Sequence, residues 1–347
     1  MILVVVAAGC SLFAAARRQQ SQPAAPPRNP PQQSEGPTIR REITLVDIVA
    51  TVLNRRRKFV TDLQKEDFAV LEDGKPQEIR YFSRQTDLPL RVGLLLDTSN
   101  SIRARIKFEQ EAAVDFLYNV IRRKKDRALL MIFDNEPSII EDFTDNVETL
   151  RDAIFRQRAG GGTALYDAIY TACRERLGNP PLPLGDSPEV RRVLVVISDG
   201  DDNLSSHSRG EAIEMAQRAG VVVYAISTST QWVTATEERD PLKRVDRKYH
   251  KEAGDKVLDQ LADETGGRAF FPYQVDDLAQ SFLDIGDELR SQYSIAYVPI
   301  NRAPDGRFRS IRINVGRKGL IVRARKGYYA PRATAESAKP AARPPGR

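Results

Sequence analysis

The chain has 347 residues, 41% of them hydrophobic and 29% charged, which is the composition of a folded protein with a sizeable core. Its net charge is +6, but residues 1–40 and residues 331–347 each carry +3, so the body between them is neutral. We therefore expect no nucleic-acid partner for the folded part. Two cysteines exclude a disulfide framework in a chain of this size, and two histidines exclude a histidine-rich metal site.

The first 16 residues have the character of an export signal. Residues 1–8 are almost entirely apolar, and Ala7-Ala8-Gly9-Cys10 approximates a lipoprotein processing site, where cleavage would leave a lipid on Cys10. No basic residue precedes the apolar run, and the alternatives are a plain secretory signal cleaved near Ala14–Ala16 and a frayed terminus without a targeting role. The sequence predicts an extracytoplasmic protein of the periplasm or cell envelope, either attached to the membrane through Cys10 or secreted.

The segments next to the two ends have compositions that do not support a packed core. Residues 17–40 are rich in Pro, Gln and Ser and lack apolar periodicity, which predicts an extended, disordered tether. Residues 331–347 are rich in Ala, Pro and Arg, which predicts a disordered tail. The tether would hold a folded body away from a membrane.

Two β-rich segments, residues 41–87 and 293–330, flank the centre of the chain. Asp73-Gly74 is a strong hairpin signal, because both turn positions tolerate a positive φ. Neither segment has enough strands to bury two faces by itself, so we expect the two to pack together as a small β-sandwich. The strands expected here are Ile43–Leu53, Phe68–Glu72, Gln77–Phe82, Tyr293–Val298, Arg307–Val315 and Leu320–Arg325.

Residues 88–292 alternate strands and helices, which predicts an α/β fold with a doubly wound, mostly parallel six-stranded sheet flanked by helices. The predicted strands are continuous apolar runs, as expected when helices cover both faces of a sheet. They are Val92–Leu96, Ala128–Phe133, Ser138–Glu141, Val193–Ile197, Val221–Ile226 and Arg268–Phe271. Helices are expected at residues 103–122, 147–157, 164–177, 208–219, 255–265 and 276–290.

Oxygen-bearing side chains follow two of these strands and open one helix. Asp97, Ser99 and Ser101 come directly after the first strand, Thr163 follows three consecutive glycines, and Asp199 ends the fourth strand. Ligands of open α/β sheets bind at the carboxyl ends of the strands, so these loops share the edge where a site is expected. The set contains no nitrogen or sulfur and suits a hard divalent cation.

These five residues carry a family resemblance. Asp97, Ser99, Ser101, Thr163 and Asp199 match the DxSxS…T…D pattern of the metal-ion-dependent adhesion site (MIDAS) in von Willebrand factor A-type (VWA) domains. The resemblance covers roughly residues 88–292. The flanking segments resemble the secreted bacterial VWFA-related branch of the family. It implies a Rossmann-like VWA fold with a metal site at the carboxyl edge.

The resemblance also implies a role for each residue. Ser99, Ser101 and Thr163 would contact the ion directly, Asp97 would bind the serines and water, and Asp199 would lie opposite the binding face. Few anionic ligands leave such an ion electrophilic, so an Asp or Glu of a protein partner would complete its coordination. Mg²⁺ fits this arrangement because it keeps octahedral geometry, with Mn²⁺ and Ca²⁺ as alternatives.

Each piece of the motif also has a purely structural interpretation. Residues 97–101 contain good helix-capping residues, Thr163 is placed to cap the next helix, and Asp199-Gly200 suits a tight turn. No serine-hydrolase elbow or phosphate-binding loop occurs here, and no general base is evident, so we expect no enzyme activity. The expected function is adhesion-type binding of a protein partner outside the cytoplasm. The alternative is a scaffold or accessory subunit of an envelope assembly complex.

Overall fold

The structure is a computed structural model, and it describes residues 45–84, 88–178, 190–229, 253–272 and 275–332. The export signal with Cys10, the tether and almost all of the C-terminal tail lie outside these residues. What the sequence predicts for these segments, including the domain boundaries that depend on them, stays a prediction. Within the described residues, no helix combines the length and the apolar character needed to cross a membrane.

The chain forms strands at both ends of the described part and alternates strands with helices between them. The strands are β1 (Val46–Asn54), β2 (Phe68–Glu72), β3 (Lys75–Gln77), β4 (Ile79–Arg84), β5 (Leu90–Asp97), β6 (Arg127–Phe133), β7 (Pro137–Thr144), β8 (Arg191–Ser198), β9 (Val222–Ser227), β10 (Ala269–Phe270), β11 (Tyr293–Tyr297), β12 (Phe308–Val315), β13 (Leu320–Ala324) and β14 (Gly327–Tyr329). The α-helices are α1 (Ile106–Val120), α2 (Val147–Phe155), α3 (Leu165–Thr171), α4 (Arg209–Ala219), α5 (Ala253–Thr265) and α6 (Val275–Leu289).

The central sheet has the strand order β10-β9-β8-β5-β6-β7. Its neighbours pair in parallel except β7, which runs antiparallel to β6. Successive residues of a strand point to opposite faces, and here both faces are buried. Leu94 packs with α1, α2 and α6 on one face, while Leu95 packs with α3, α4 and α5 on the other. The doubly wound α/β fold is confirmed, and the continuous apolar runs follow from this two-sided burial.

The two flanking segments contribute strands to the same pair of antiparallel sheets. One sheet has the order β13-β1-β11-β4 and the other β14-β12-β2-β3, so each combines strands from before and after the α/β region. Ile48, Val70, Ile295 and Ile311 are among the residues of one shared apolar core. This is the β-sandwich-like region of the predicted fold class.

One predicted strand of the sandwich is wrong. Gln77–Phe82 was expected to be continuous, but Gln77 pairs with Val70 in one sheet and Ile79 pairs with Tyr297 in the other. The chain crosses between the sheets at Glu78. Both neighbours of Glu78 are buried, because each points into the core from its own sheet. A single strand with strict alternation would also place both on one face, so the sequence pattern does not distinguish the two arrangements.

A buried polar cluster joins the sandwich to the α/β region. Glu288 on α6 is fully buried, and its Oε1 accepts hydrogen bonds from Thr51 Oγ1 on β1 and Tyr224 OH on β9, each at 3.0 Å. Arg323 on β13 forms an ion pair with the same carboxylate. A buried charge that is paired and hydrogen-bonded is costly to disrupt, so this cluster fixes the last helix against both layers.

Candidate metal centre at the carboxyl edge of the sheet

Asp97 occupies the last position of β5, and its carboxylate is held by two strands. The residue is fully buried. Its Oδ1 accepts a hydrogen bond from the Ser99 amide at 2.8 Å, and its Oδ2 accepts one from Ser198 Oγ on β8 at 2.7 Å. These bonds orient the carboxylate before any ligand arrives, as a preorganised site requires.

The two serines of the motif place their hydroxyls side by side. Ser99 Oγ and Ser101 Oγ are 2.9 Å apart. Ser99 precedes a short 3₁₀ turn, Asn100–Ile102, yet its side chain makes no capping hydrogen bond, and the position before α1 makes none either. The helix-cap interpretation of this segment is therefore wrong.

The glycine loop is hydrogen-bonded to the Asp97 loop through the backbone. The Gly160 amide donates to the Thr98 carbonyl at 2.7 Å, and the Asn100 amide donates to the Gly161 carbonyl at 3.2 Å. Gly161 has a φ of 84°, a conformation that glycine adopts without strain. Thr163, 4% exposed, follows this turn. The position before α3 is Ala164 and makes no side-chain cap, so Thr163 does not cap that helix.

Two asparagines hold Thr163 and its loop in place, and the sequence analysis did not identify them. Asn135 Oδ1, in the loop after β6, accepts from the Gly162 amide at 2.8 Å, and Asn203 Oδ1 accepts from the Thr163 amide at 2.9 Å. The backbone amide of Asn203 donates in turn to the Thr163 backbone carbonyl at 3.0 Å. Asn135 follows a predicted strand of the same sheet, so the carboxyl-edge rule could have identified it.

Asp199 follows β8, and the loop after it is hydrogen-bonded to α3. Asp202 Oδ2 accepts from the Tyr166 amide at 3.1 Å, so this acid caps the helix rather than pointing at the Asp97 loop. Asp167 on α3 accepts from the His207 amide at 2.8 Å, and its Oδ1 lies 2.6 Å from His207 Nδ1. Asp199 is the acid of this loop that interacts electrostatically with the Asp97 carboxylate and raises its pKa.

A third carboxylate, that of Glu109, interacts electrostatically with two acids of this edge. Glu109 on α1 is 1% exposed, and neither of its carboxylate oxygens has a hydrogen-bond partner among the described residues. Burial raises the pKa of Glu109 to about 8, Arg105 opposes this rise, and repulsion from Asp97 and Asp199 adds to it. Burial also raises the pKa of Asp97 to about 6, against the lowering effect of its serine hydrogen bonds.

The residues present fit a divalent cation. Three acids repel one another at this edge, two of them buried, and a nearby cation would favour their ionised forms. Hydroxyl and carboxylate oxygens are the donors that Mg²⁺, Mn²⁺ and Ca²⁺ take. Within the described ranges, no cluster of three or more His, Cys, Asp and Glu side chains is arranged to hold a metal. The candidate set differs from such a cluster, since three of its five members are hydroxyl residues.

Comparison with family models identifies the domain that carries this edge. The model of the von Willebrand factor type A domain matches residues 92–201, from inside β5 to the loop after β8. The chain contains a VWA domain. This match spans Asp97, Ser99, Ser101, Thr163 and Asp199, so all five predicted site residues lie within the matched part of the VWA domain.

Curated relatives match this chain at low identity. A "UPF0353 protein" of Mycolicibacterium gilvum is 27% identical over 212 residues, which cover 57% of this chain and 60% of that protein. The chain thus spans about three fifths of the length of the first curated relatives it matches.

Two solved structures are among those similar to this chain. A von Willebrand factor type A protein of Catenulispora acidiphila has a TM-score of 0.44 at 11% identity, covering 84% of this chain and 74% of its own. Proximal thread matrix protein 1 from mussel byssus, solved with a zinc-occupied MIDAS motif, has a TM-score of 0.46 at 17% identity, covering 62% and 50%.

Proposed function

We propose that the VWA domain binds a protein partner outside the cytoplasm through a divalent cation at the Asp97 edge, without catalysing a reaction. One observation carries the proposal: the Ser99 and Ser101 hydroxyls lie 2.9 Å apart beside a buried, oriented Asp97 and make no helix cap. Mg²⁺ is the expected ion, and Mn²⁺ and Ca²⁺ are alternatives with the same donor preference. Export, and a lipid on Cys10, belong to this proposal.

Each residue of the edge has a task in this function. Ser99, Ser101 and Thr163 would hold the ion, with Asp97 and Asp199 balancing its charge. When bound, the ion would supply a Lewis-acidic position for an Asp or Glu side chain of the partner. Ser198 orients Asp97, and Asn203 holds the Thr163 backbone, so both keep the donors in place. Supporting groups of this kind typically change metal affinity by about 10–100-fold.

Removing the Thr163 hydroxyl tests the metal site. Thr163→Val keeps the shape of the side chain but loses the donor, so we expect its Mg²⁺ affinity to fall at least tenfold, roughly the lower end of the range for a supporting group. Thr163→Ser keeps the hydroxyl and should bind within about threefold of the wild type. Isothermal titration calorimetry measures both. Equal affinity of the Val variant and the wild type would contradict the assignment of Thr163.

Partner capture tests the function beyond metal binding. Immobilised wild-type protein should retain specific proteins from an extract of the source cell envelope in Mg²⁺, and should release them when a chelator is added. The Thr163→Val variant should retain none of them, while Thr163→Ser should retain the same set. A partner that stays bound in chelator, and binds the Val variant equally, would instead favour the scaffold role.

A further inference from the structure

A cavity lies at the opposite edge of the central sheet from the Asp97 loops. It has a volume of about 310 Å³ and is bordered by the first residues of β8 and β9, the end of α4, and sandwich residues on β1 and β14. Small-molecule sites occupy clefts of about 300–1,000 Å³, so this cavity is at the small end of that class. Its place at the amino edge separates it from the candidate metal centre.

The walls of the cavity are strongly basic. Four arginines line it, namely Arg191, Arg192, Arg218 and Arg325, against one acid, Asp47. The Asp47 carboxylate already accepts a hydrogen bond from Ser294 Oγ at 2.6 Å. The residues that line the cavity therefore include four positive charges and one negative charge, and the carboxylate that carries the negative charge also binds Ser294.

Two of the four guanidinium groups are incompletely satisfied. Arg192 is half-buried, and its Nε is shielded from water without a hydrogen-bond partner among the described residues. Arg325 donates to the Asp47 carbonyl, but its Nε is also shielded and has no acceptor among the described residues. Arg218 differs, because its Nε donates to Glu214 at 2.7 Å and its guanidinium lies over the Tyr329 ring.

Such a set of guanidinium groups has a characteristic ligand. Charged groups taken out of water without a counter-charge are costly, and an anion in the cavity would remove that cost. Burial lowers the pKa of Arg192 and of Arg325, and the Asp47 carboxylate offsets this effect only in part. The planar fork of arginine matches the oxygens of a phosphate group in a bidentate way.

We propose that this cavity, lined by Arg191, Arg192 and Arg325, is a binding site for a phosphate group. The cavity volume of about 310 Å³ is large enough for a phosphate, and several cations on its walls suit a dianion with three or more acceptor oxygens better than a single carboxylate. The phosphate would come from a free ion or small ester, or from the headgroup of an anionic lipid. The site does not depend on the proposed cation function, since the two occupy opposite edges of the sheet.

Titration of the full chain with inorganic phosphate, at constant ionic strength and with chloride as the reference anion, tests the proposal. Calorimetry should detect saturable binding to the wild type. Arg192→Gln should weaken it at least tenfold, and Arg192→Lys, which keeps the charge but loses the fork, should have an intermediate effect. The matched control is Arg312→Gln, which removes one exposed positive charge from β12 and should stay within twofold of the wild type.

The outcomes separate the sources and can overturn the proposal. Binding of free phosphate that depends on Arg192 supports a soluble ligand. Binding only to phosphatidylglycerol vesicles, again lost in Arg192→Gln and absent with phosphatidylcholine, supports a lipid headgroup. Absence of both kinds of binding in the wild type would overturn the proposal, and so would equal weakening by Arg192→Gln and Arg312→Gln. If Arg192→Gln does not fold, Arg192→Lys and Arg312→Lys provide the same comparison.

Discussion

Gly254→Ala is expected to destabilise the protein by about 3 kcal/mol, near the upper end of the usual cost of overpacking. A Cβ at Gly254, on the first turn of α5, would lie 2.1 Å from the Asp199 carbonyl oxygen. The clash is with backbone, so rotating a side chain does not relieve it. Gly200 faces the same contact from the other side, since its own Cβ would lie 2.3 Å from the Gly254 carbonyl oxygen. The loop that carries Asp199 would have to move.

This displacement also predicts a loss of cation affinity, because Asp199 belongs to the candidate metal centre. Urea unfolding measures the stability change, and Mg²⁺ titration of the folded variant measures the second effect. Gly210→Ala on α4 is the matched control, since its Cβ would meet only Ser208 Oγ at 3.9 Å. That variant should gain about 0.5–1 kcal/mol from lower backbone entropy. Wild-type stability of Gly254→Ala would mean that α5 does not pack on the Asp199 loop as described.

The central sheet could be predicted because strands that are buried on both faces have continuous apolar sequences. Leu94 and Leu95 lie on opposite faces and are both buried, which produces the uninterrupted apolar run that was used to predict β5. The contact between Gly200 and Gly254 could not be predicted in this way. It joins two backbones that are distant in sequence, and a glycine near a helix start has ordinary local explanations.

The candidate site, too, could be predicted only in part from the sequence. The sequence predicted that the loops of Asp97, Thr163 and Asp199 lie at one edge of the sheet. The prediction was possible because loops that follow parallel strands meet at the carboxyl edge. Glu109 was missed, since Glu109 and Glu111 look alike in sequence and only the packing of α1 buries the first and exposes the second. Asn203 was missed because its task is a hydrogen bond to the backbone of another loop.

Glu109 should make the metal-free protein less stable as the pH rises. Its folded-state pKa is about 8 against an ordinary value of 4.5, so between these values the folded protein keeps a proton that the unfolded chain has released. Stability then falls with rising pH through this window. Below pH 4.5 the group is protonated in both states and has no effect. Above pH 8 the full penalty is present, on the order of 4 kcal/mol after allowance for relaxation of the site.

Glu109→Gln removes the ionisation and therefore this penalty. In chelator, the variant should match the wild type near pH 5 and exceed its free energy of unfolding by several kcal/mol near pH 9, as measured by urea unfolding at both pH values. Glu111→Gln, on the exposed side of the same helix turn, should differ from the wild type by no more than about 0.5 kcal/mol at either pH. An advantage of Glu109→Gln that is equal at both pH values would show that the pKa of Glu109 is not raised in the folded state.

Saturating Mg²⁺ should narrow the gap between Glu109→Gln and the wild type at pH 9. A cation near Asp97 and Asp199 would stabilise the ionised form of Glu109, so the wild type should gain more stability from Mg²⁺ than the variant does. The variant should correspondingly bind Mg²⁺ more weakly than Glu111→Gln. A gap that Mg²⁺ leaves unchanged would mean that Glu109 does not sense the ion, and its burial would then serve the packing of α1 alone.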